Sequence, residues 1–258
     1  MLFWVLARKA YLQNLQYRGA HTMKTIASAI IGYIYASIWI GIGDSNSLGA
    51  YGTAGIVSYI AFNQAALWVV NGMSGGLGLE QSVRTGQLAV ELTRPVHLYV
   101  SLMCREWGMI AYQFLYKTIP ILVIYFFTVS LRLPESASTY LWTAVALALA
   151  AYVMIAINYL IGLAAVWTTE SRWLGWLNFA VFTLLSGFFI PLEWLPGWLR
   201  ALTYLTPYPY VQYHPTRIFL EREQLSSLPA AFLWCAALTC VCLAATAAVR
   251  RKIEIQGG

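Results

Sequence analysis

Residues 229–249 read PAAFLWCAALTCVCLAATAAV, twenty-one positions without a charge, closed at once by Arg250-Arg251-Lys252. A helix rises about 1.5 Å per residue and the hydrocarbon of a bilayer is about 30 Å thick, so about 20 mainly apolar residues cross it. Pro229 stands at the tolerated first helical position and the basic cluster marks the far end. The stretch reads as a membrane span, and five others qualify by the same measure: 22–42, 52–71, 106–130, 139–168 and 173–190. Those at 106–130 and 139–168 are longer than a crossing needs, which implies tilt or extension beyond the bilayer. The expected fold is an all-α polytopic membrane protein with six transmembrane helices, a single domain over 1–258.

Composition agrees. The 258-residue chain is 60% apolar and only 10% charged, against about 25% charged in soluble domains, which excludes an ordinary soluble enzyme. Lys and Arg exceed Asp and Glu by 16 to 10, but the charges lie in short clusters between apolar stretches and form no stripe that could track a phosphate backbone. No nucleic-acid partner is expected. Cys104, Cys235, Cys240 and Cys242 fall in or beside apolar stretches without a CxxC pair or a His at ligand spacing, so neither a disulfide framework nor a metal site is implied. Cys235 and Cys242, seven apart, read as small packing residues. The N-terminus lacks the order of a signal peptide, and its first segment is expected to be retained.

Orientation follows from the basic residues, because short cytoplasmic loops collect Lys and Arg. With six spans both termini share a side, and that side takes Arg8, Lys9, Arg18, Lys24, Arg84, Arg94, Arg105, Arg172, Arg250, Arg251 and Lys252, eleven of the sixteen. Arg132, Arg200, Arg217 and Arg222 fall on the other side and Lys117 lies within a span. Both termini, including the tail at 250–258, are therefore expected to be cytoplasmic.

Three segments are not spans. In 1–20, Trp4, Ala7, Tyr11 and Leu15 share one helical face and Lys9, Gln13 and Gln16 the opposite one, the pattern of a helix lying in the membrane interface; a plain extension of the first span is the alternative. The loop at 72–105 opens with glycines and continues Leu79-Glu80-Gln81-Ser82-Val83-Arg84-Thr85-Gly86-Gln87. Glu80 and Arg84 have the favourable i, i+4 order, and Gly86 is placed to stop the helix in a left-handed conformation. Pro95 then disfavours helix at Arg94 and turns the chain back. A short capped helix is expected, with a solvated connector as the alternative. The segment 191–228 is aromatic and apolar, yet five prolines from Pro191 to Pro215 deny it a continuous helix. Broken backbone at membrane depth has to pack on protein or line a cavity, so a re-entrant pair of short helices is expected, anchored by Trp194, Trp198, Tyr204, Tyr208 and Tyr210; an aromatic belt loop is the alternative.

Catalytic chemistry is not visible. Gly72 to Gly78 lacks the Lys and hydroxyl of a phosphate-binding loop, HExxH and GxSxG are absent, and His21, His97 and His214 are scattered. The chain is not read as an enzyme and is expected to hold no cofactor. Asp occurs once, at Asp44, in an expected outer loop, and acid–base pairs are missing from the spans, which argues against a proton-coupled carrier. Lys117 is the one deep charge; it either lines a substrate path, snorkels or pairs with a subunit. Asn158, Asn63 and Gln64 are expected to bond between helices.

Two motifs carry a resemblance. The first is Val83-Arg84-Thr85-Gly86-Gln87 followed by Glu91-Leu92-Thr93-Arg94-Pro95-Val96; the second is Ser186-Gly187-Phe188-Phe189-Ile190-Pro191-Leu192-Glu193-Trp194-Leu195-Pro196, continuing to Pro207-Tyr208-Pro209-Tyr210. In order, spacing and span number the chain resembles the permeases of the ATP-binding-cassette type-2 export family, six-span subunits that pair with a separate ATPase. The resemblance implies a plasma (inner) membrane protein of a prokaryote, with a second permease protomer, the same or a related chain, and a nucleotide-binding ATPase subunit holding ATP and Mg. It implies that Glu80, Arg84, Gly86, Arg94 and Pro95 belong to an ATPase-coupling segment and that Pro191, Leu192, Trp194, Pro196, Pro207 and Pro209 form an outer gate, while Lys117 and Asn158 are candidates for the substrate path. Aromatic, nearly charge-free spans bearing Trp39, Trp68, Phe182 and Phe188 suit an apolar or amphiphilic cargo, although such residues serve equally against lipid. The chain lacks the large extracellular domain of some members. An ATP-independent channel or a structural membrane subunit is the alternative.

Overall fold

A computed structural model describes residues 2–16, 18–45, 48–70, 75–223 and 225–257. Among them there is no strand; the chain is all-α. Helix α1 (Leu2–Leu15) is separated by a turn from α2 (Arg18–Ser45), which runs on through Asp44, so the expected outer loop there begins later. Then come α3 (Gly52–Ala66), the short α4 (Leu79–Arg84) and α5 (Gln87–Leu92), and a long helix built from α6 (Leu98–Gln113), a π-turn at Phe114–Thr118 and α7 (Ile119–Thr128). Helices α8 (Ala137–Thr168) and α9 (Arg172–Leu185) follow, then the short α10 (Gly197–Tyr204) and α11 (Tyr213–Phe219), and finally α12 (Leu228–Gly257). The last helix continues past Val249 into the segment expected as the cytoplasmic tail.

Among the described residues, four helices are long and apolar enough to cross a membrane: His21–Gly43, Leu98–Thr128, Ala137–Thr168 and Leu225–Lys252. The other two stretches form shorter rods. Helix α3 has 15 residues and α9 has 14, about 22 and 21 Å at 1.5 Å per residue, less than a full crossing. Each stops for a local reason: α3 gives way to turns at 67–70, and α9 ends before Gly187, whose φ is +75°, with Pro191 close behind. Asn71 and the opening of the glycine-rich loop at 72–74 lie outside the described residues. Helix α3 is also the most enclosed: every residue from Gly55 to Ala66 is buried, so it is a core helix wrapped by its neighbours.

The pairing of α8 with α12 shows why their residues are spaced as they are. The Cys235 thiol donates to the Leu149 carbonyl (3.7 Å) and the Cys242 thiol to that of Ala156 (3.5 Å). Tyr152 meets Thr239 and Tyr159 meets Thr246, each pair of hydroxyls at 2.6 Å. Lys252 closes the series on the Val166 carbonyl at 2.9 Å. Partners are always 86 or 87 positions apart, so the helices run parallel, and a contact set repeating every seven residues keeps one seam facing the neighbour. The two cysteines are thus packing residues, as expected from their spacing.

Helix α1 lies along α6. Ala7 is buried there and the Tyr11 ring meets that of Tyr112 at 6.0 Å, whereas Trp4, on the same apolar face, is exposed. One end of the bundle gathers α1, the 75–97 loop, the α8–α9 turn and the C-terminal part of α12; the other gathers 48–51, 129–136 and 191–227.

The 75–92 segment sits on α8 through backbone contact at Gly162. A Cβ at that position would lie 2.2 Å from the Gly76 carbonyl oxygen, whereas one at Gly41 meets nothing within 4 Å. Gly162→Ala should therefore cost roughly 1–3 kcal/mol, while Gly41→Ala should be neutral or slightly stabilising because it removes backbone entropy from an exposed helix. Thermal unfolding of the two variants in detergent compares them, and equal midpoints would refute the close seating of the segment.

Candidate functional site

Residues 79–95 form a compact lever. Gly86 has φ +72°, the left-handed conformation expected of it, and it ends α4 only to start α5 at once. Helix α5 stops at Leu92 and the chain bends at 94–96 before α6, as Pro95 requires. Arg84, Gly86, Arg94 and Pro95 are exposed. Glu80 is not: its carboxylate accepts hydrogen bonds from the Ser171 amide (2.9 Å) and hydroxyl (3.1 Å), with Arg172 at 3.9 Å. The expected Glu80–Arg84 pairing gives way to this contact because Ser171 heads α9, whose first N–H groups need an acceptor and whose dipole favours a negative charge. The Ser171 amide, then its hydroxyl, then Arg172 hold the Glu80 carboxyl below the ordinary carboxylate value of 4.5, against the opposing effect of burial. Beside the lever, a groove of about 520 Å³ runs between α1, α5 and the start of α6, with Lys9, Gln13, Glu91, Arg94 and Arg105 along it.

The 186–219 region is a second assembly, built around Asn63. Its side-chain amide donates to the carbonyls of Gly187 (3.1 Å) and Phe188 (2.9 Å), and the Tyr59 hydroxyl also donates to Gly187. Gln212 donates to the Asn63 backbone oxygen (2.9 Å) and side-chain oxygen (3.0 Å), and the Thr216 hydroxyl to the same side-chain oxygen. Pro191 and Leu192 are buried, Pro209 is buried, and Trp194 packs its ring 5.4 Å from that of Trp39 on α2. Pro196 is exposed and Pro207 half-buried. Of the five aromatic anchors expected, Trp198 and Tyr204 are exposed. Tyr208 instead turns inward to the Asn178 side-chain oxygen (2.7 Å) and Tyr210 stacks on His214 at 4.9 Å, since a hydroxyl in apolar surroundings gains more from a fixed acceptor than from an interface. An ionic chain closes the region: Arg217 donates to Glu193 (2.9 Å), to the Tyr213 hydroxyl (2.6 Å) and to the Arg222 carbonyl (2.9 Å), and His214 meets Glu223 at 2.8 Å.

Asn63, Asn158 and Gln64 divide. Gln64 donates to the Ser28 hydroxyl (3.0 Å), which also takes the Trp68 indole N–H (2.9 Å). Asn158 is fully buried, yet among the described residues neither its side-chain nitrogen nor its oxygen has a partner, which corrects the expected interhelical bond. Lys117 is buried in the π-turn with its ammonium 3.7 Å from the centre of the Trp68 ring. Pro120 lacks the N–H that would close onto Tyr116, and the backbone widens there. The two candidate path residues are thus placed on separate helices, and no contact joins them. Sequence reasoning passed over Tyr59, Ser171, Gln212 and Thr216; only Ser171, at a helix start, carries a local signal.

Two predictions follow from this geometry. Asn63→Leu strands the Phe188 carbonyl and removes the side-chain oxygen shared by Gln212 and Thr216, and should cost roughly 1–3 kcal/mol, while Asn158→Leu removes an unpartnered buried amide and should raise the unfolding temperature; the reverse order in a thermal unfolding assay would contradict the assignment. For Glu80, a depressed carboxyl contributes its stabilisation above the ordinary value and loses it as pH falls through the lowered one. The protection factors of the 79–92 amides, which remove the intrinsic pH dependence of exchange, should accordingly be flat from neutral pH down to 4.5, lower in stronger acid, and lower already at neutral pH in Glu80→Gln. Exposed Arg172 is a weak partner, so Arg172→Ala should change little.

Comparison with known proteins agrees with the architecture. No curated protein matches the chain at a significant level. The sequence profile described as "ABC-2 family transporter protein" matches residues 44–253, from the last turn of α2 through both assemblies and into the C-terminal part of α12. An all-α chain with four membrane-length helices, carrying that match over most of its length, is an integral membrane permease and belongs to the ABC-2 transporter family.

Proposed function

We propose that this permease is the membrane subunit of an ATP-driven exporter, moved by a separate nucleotide-binding ATPase that docks on α4–α5. The observation that carries the reading is the disposition of α4: Arg84 is exposed while Glu80, one turn earlier, is fastened to the head of α9. A partner gripping the Arg84 side would therefore pull directly on α9 and, through Gly76 and Gly162, on α8. Arg84, Gly86, Arg94 and Pro95 present the docking face, and Glu80 acts as the link behind it. ATP and Mg belong to the partner, whose state-dependent affinity supplies the free energy for the change.

In this reading α3 and α9, with the non-helical residues that continue them, complete six crossings; both termini face the cytoplasm; α1 lies at the inner interface of a prokaryotic plasma membrane. A second permease protomer, the same or a related chain, faces the first, and lipid surrounds both. The segment from Pro191 to Pro209 is the outer gate, closed on α3 by Asn63 and on α2 by Trp194. The cargo is apolar or amphiphilic.

The test is a mild-detergent pull-down of the tagged chain with identification and ATPase assay of whatever remains bound, alongside Arg84→Glu. Recovery of a nucleotide-binding subunit that falls at least about tenfold with the reversed charge is expected, since a like-charge contact at an interface costs a factor of this order or more. Recovery of no ATPase from a folded complex would overturn the proposal.

A further inference from the structure

The seam between α2 and the α6–α7 helix brings His21, Lys24 and Lys117 together, and among the described residues no ion pair joins any of them to an acid. Lys117 makes no hydrogen bond and no ion pair among the described residues; its ammonium lies 3.7 Å from the centre of the Trp68 ring. Trp68 in turn is fixed by the Ser28 hydroxyl, which puts the ammonium beside the face of α2 that bears Ser28. One turn earlier on that face stands Lys24, exposed, and one turn before it His21, whose ring lies 5.0 Å from that of Tyr112 and whose Nδ1 is enclosed without a partner. Tyr112 stacks on Tyr116 at 4.8 Å, next to Lys117. His21, Lys24 and Ser28 thus share one face of α2 over about two turns, about 10 Å at 1.5 Å per residue, with Lys117 beside the Ser28 end of that face. The nearest carboxylate along α6 is Glu106, eleven positions before Lys117.

An ammonium has three donors and no acceptor, and a ring face answers only part of that need. Enclosed charges are paired in proteins or meet a ligand. The chemistry that fits is an anion with several acceptor oxygens. Its surroundings add a second requirement: Met23, Ile31, Leu115 and Tyr116, flanking the seam, are exposed apolar side chains, where an acyl chain would lie. From this we infer that His21, Lys24 and Lys117 form a binding site for the acidic phosphate head of an acylated amphiphile. The site does not depend on the pairing with an ATPase.

The test uses the full chain in nanodiscs of phosphatidylcholine, titrated with dioctanoyl phosphatidylglycerol and, separately, with inorganic phosphate, with the unfolding midpoint as readout. Phosphatidylglycerol should raise the midpoint and phosphate alone should not. Lys117→Met should weaken the apparent affinity roughly tenfold to a hundredfold, the loss of a charge-assisted contact. Lys24→Gln, on an exposed position that leaves folding intact, should weaken it roughly threefold to tenfold, and Arg200→Gln, outside the seam, should leave it unchanged. A midpoint rise equal in wild type, Lys117→Met and Lys24→Gln, or one reproduced by inorganic phosphate, would overturn the site. Where the acidic lipid binds as inferred, ATP-dependent transbilayer movement of fluorescent phosphatidylglycerol by the assembled transporter identifies it as cargo, and binding without movement identifies it as a resident lipid; both results retain the site.

Discussion

A carbonyl that leaves a helix in apolar surroundings has to find a donor, and at Gly187 and Phe188 that donor is Asn63. Without it the end of α9 could not break where it does, because a stranded backbone oxygen away from water costs on the order of a kcal/mol or more. Asn63 in turn is held by Gln212 and Thr216, so one amide joins α3, the end of α9 and the head of α11. The 186–219 chain can be irregular and still enclosed because this knot satisfies the bonds that regular helix would have made. Leu192 and Pro209 are buried as a consequence of that tie.

The same bookkeeping of helix ends explains two distant carboxylates. Glu221 accepts from the Ser136 amide at the head of α8 and Glu80 from the Ser171 amide at the head of α9. Neither helix has a side-chain cap of its own, and each borrows one from a segment that would otherwise hang loose. A carboxylate at a helix start is favoured by both the free N–H groups and the dipole. The two contacts lie at opposite ends of the bundle, and each fixes a connecting loop to a long or core-facing helix. At α8 this matters most, since its whole inner length is already committed to α12 by the seven-residue ladder.

What the sequence displayed and what it hid divide along one physical line. Length and apolarity located 22–42, 139–168 and 229–249 well, since a lipid-facing helix is specified by its own residues. The same criteria read 52–71 and 173–190 as spans, but both helices are shorter, and the contacts that enclose them come from partners remote in sequence, Gln212 and Thr216 for the one, Tyr208 and the Asn63 knot for the other. Gly86 and Pro95 could be read locally because backbone conformation is a local matter. Glu80 could not: an i, i+4 partner was in view at Arg84, and the winning partner lies 91 positions away. The inward turn of Tyr208 was hidden for the same reason, aromatic composition alone being silent on which hydroxyl finds an acceptor. Lys117 was legible as an anomalous charge, while the π-turn that carries it follows from Pro120 three positions later.

These contacts tie α9 to both assemblies. Ser171 at its head is clamped by Glu80; two turns on, Asn178 accepts from Tyr208; one turn further, Phe182 meets Phe188 with ring centres 6.0 Å apart. A helix is stiff over 14 residues, and packed interiors transmit displacement because they have little free volume to absorb it. Any displacement of α4 that leaves the Glu80 clamp closed therefore carries α9 with it, and the aromatic residues at the far end must either follow or part from it. The broken backbone at Gly187 is the place where parting is least costly, since it is held there by side chains and not by a continuous helix. In the exporter proposed above, a short helix clamped at one end and followed by broken backbone at the other would turn a pull on 79–92 into rearrangement of the 186–219 segment.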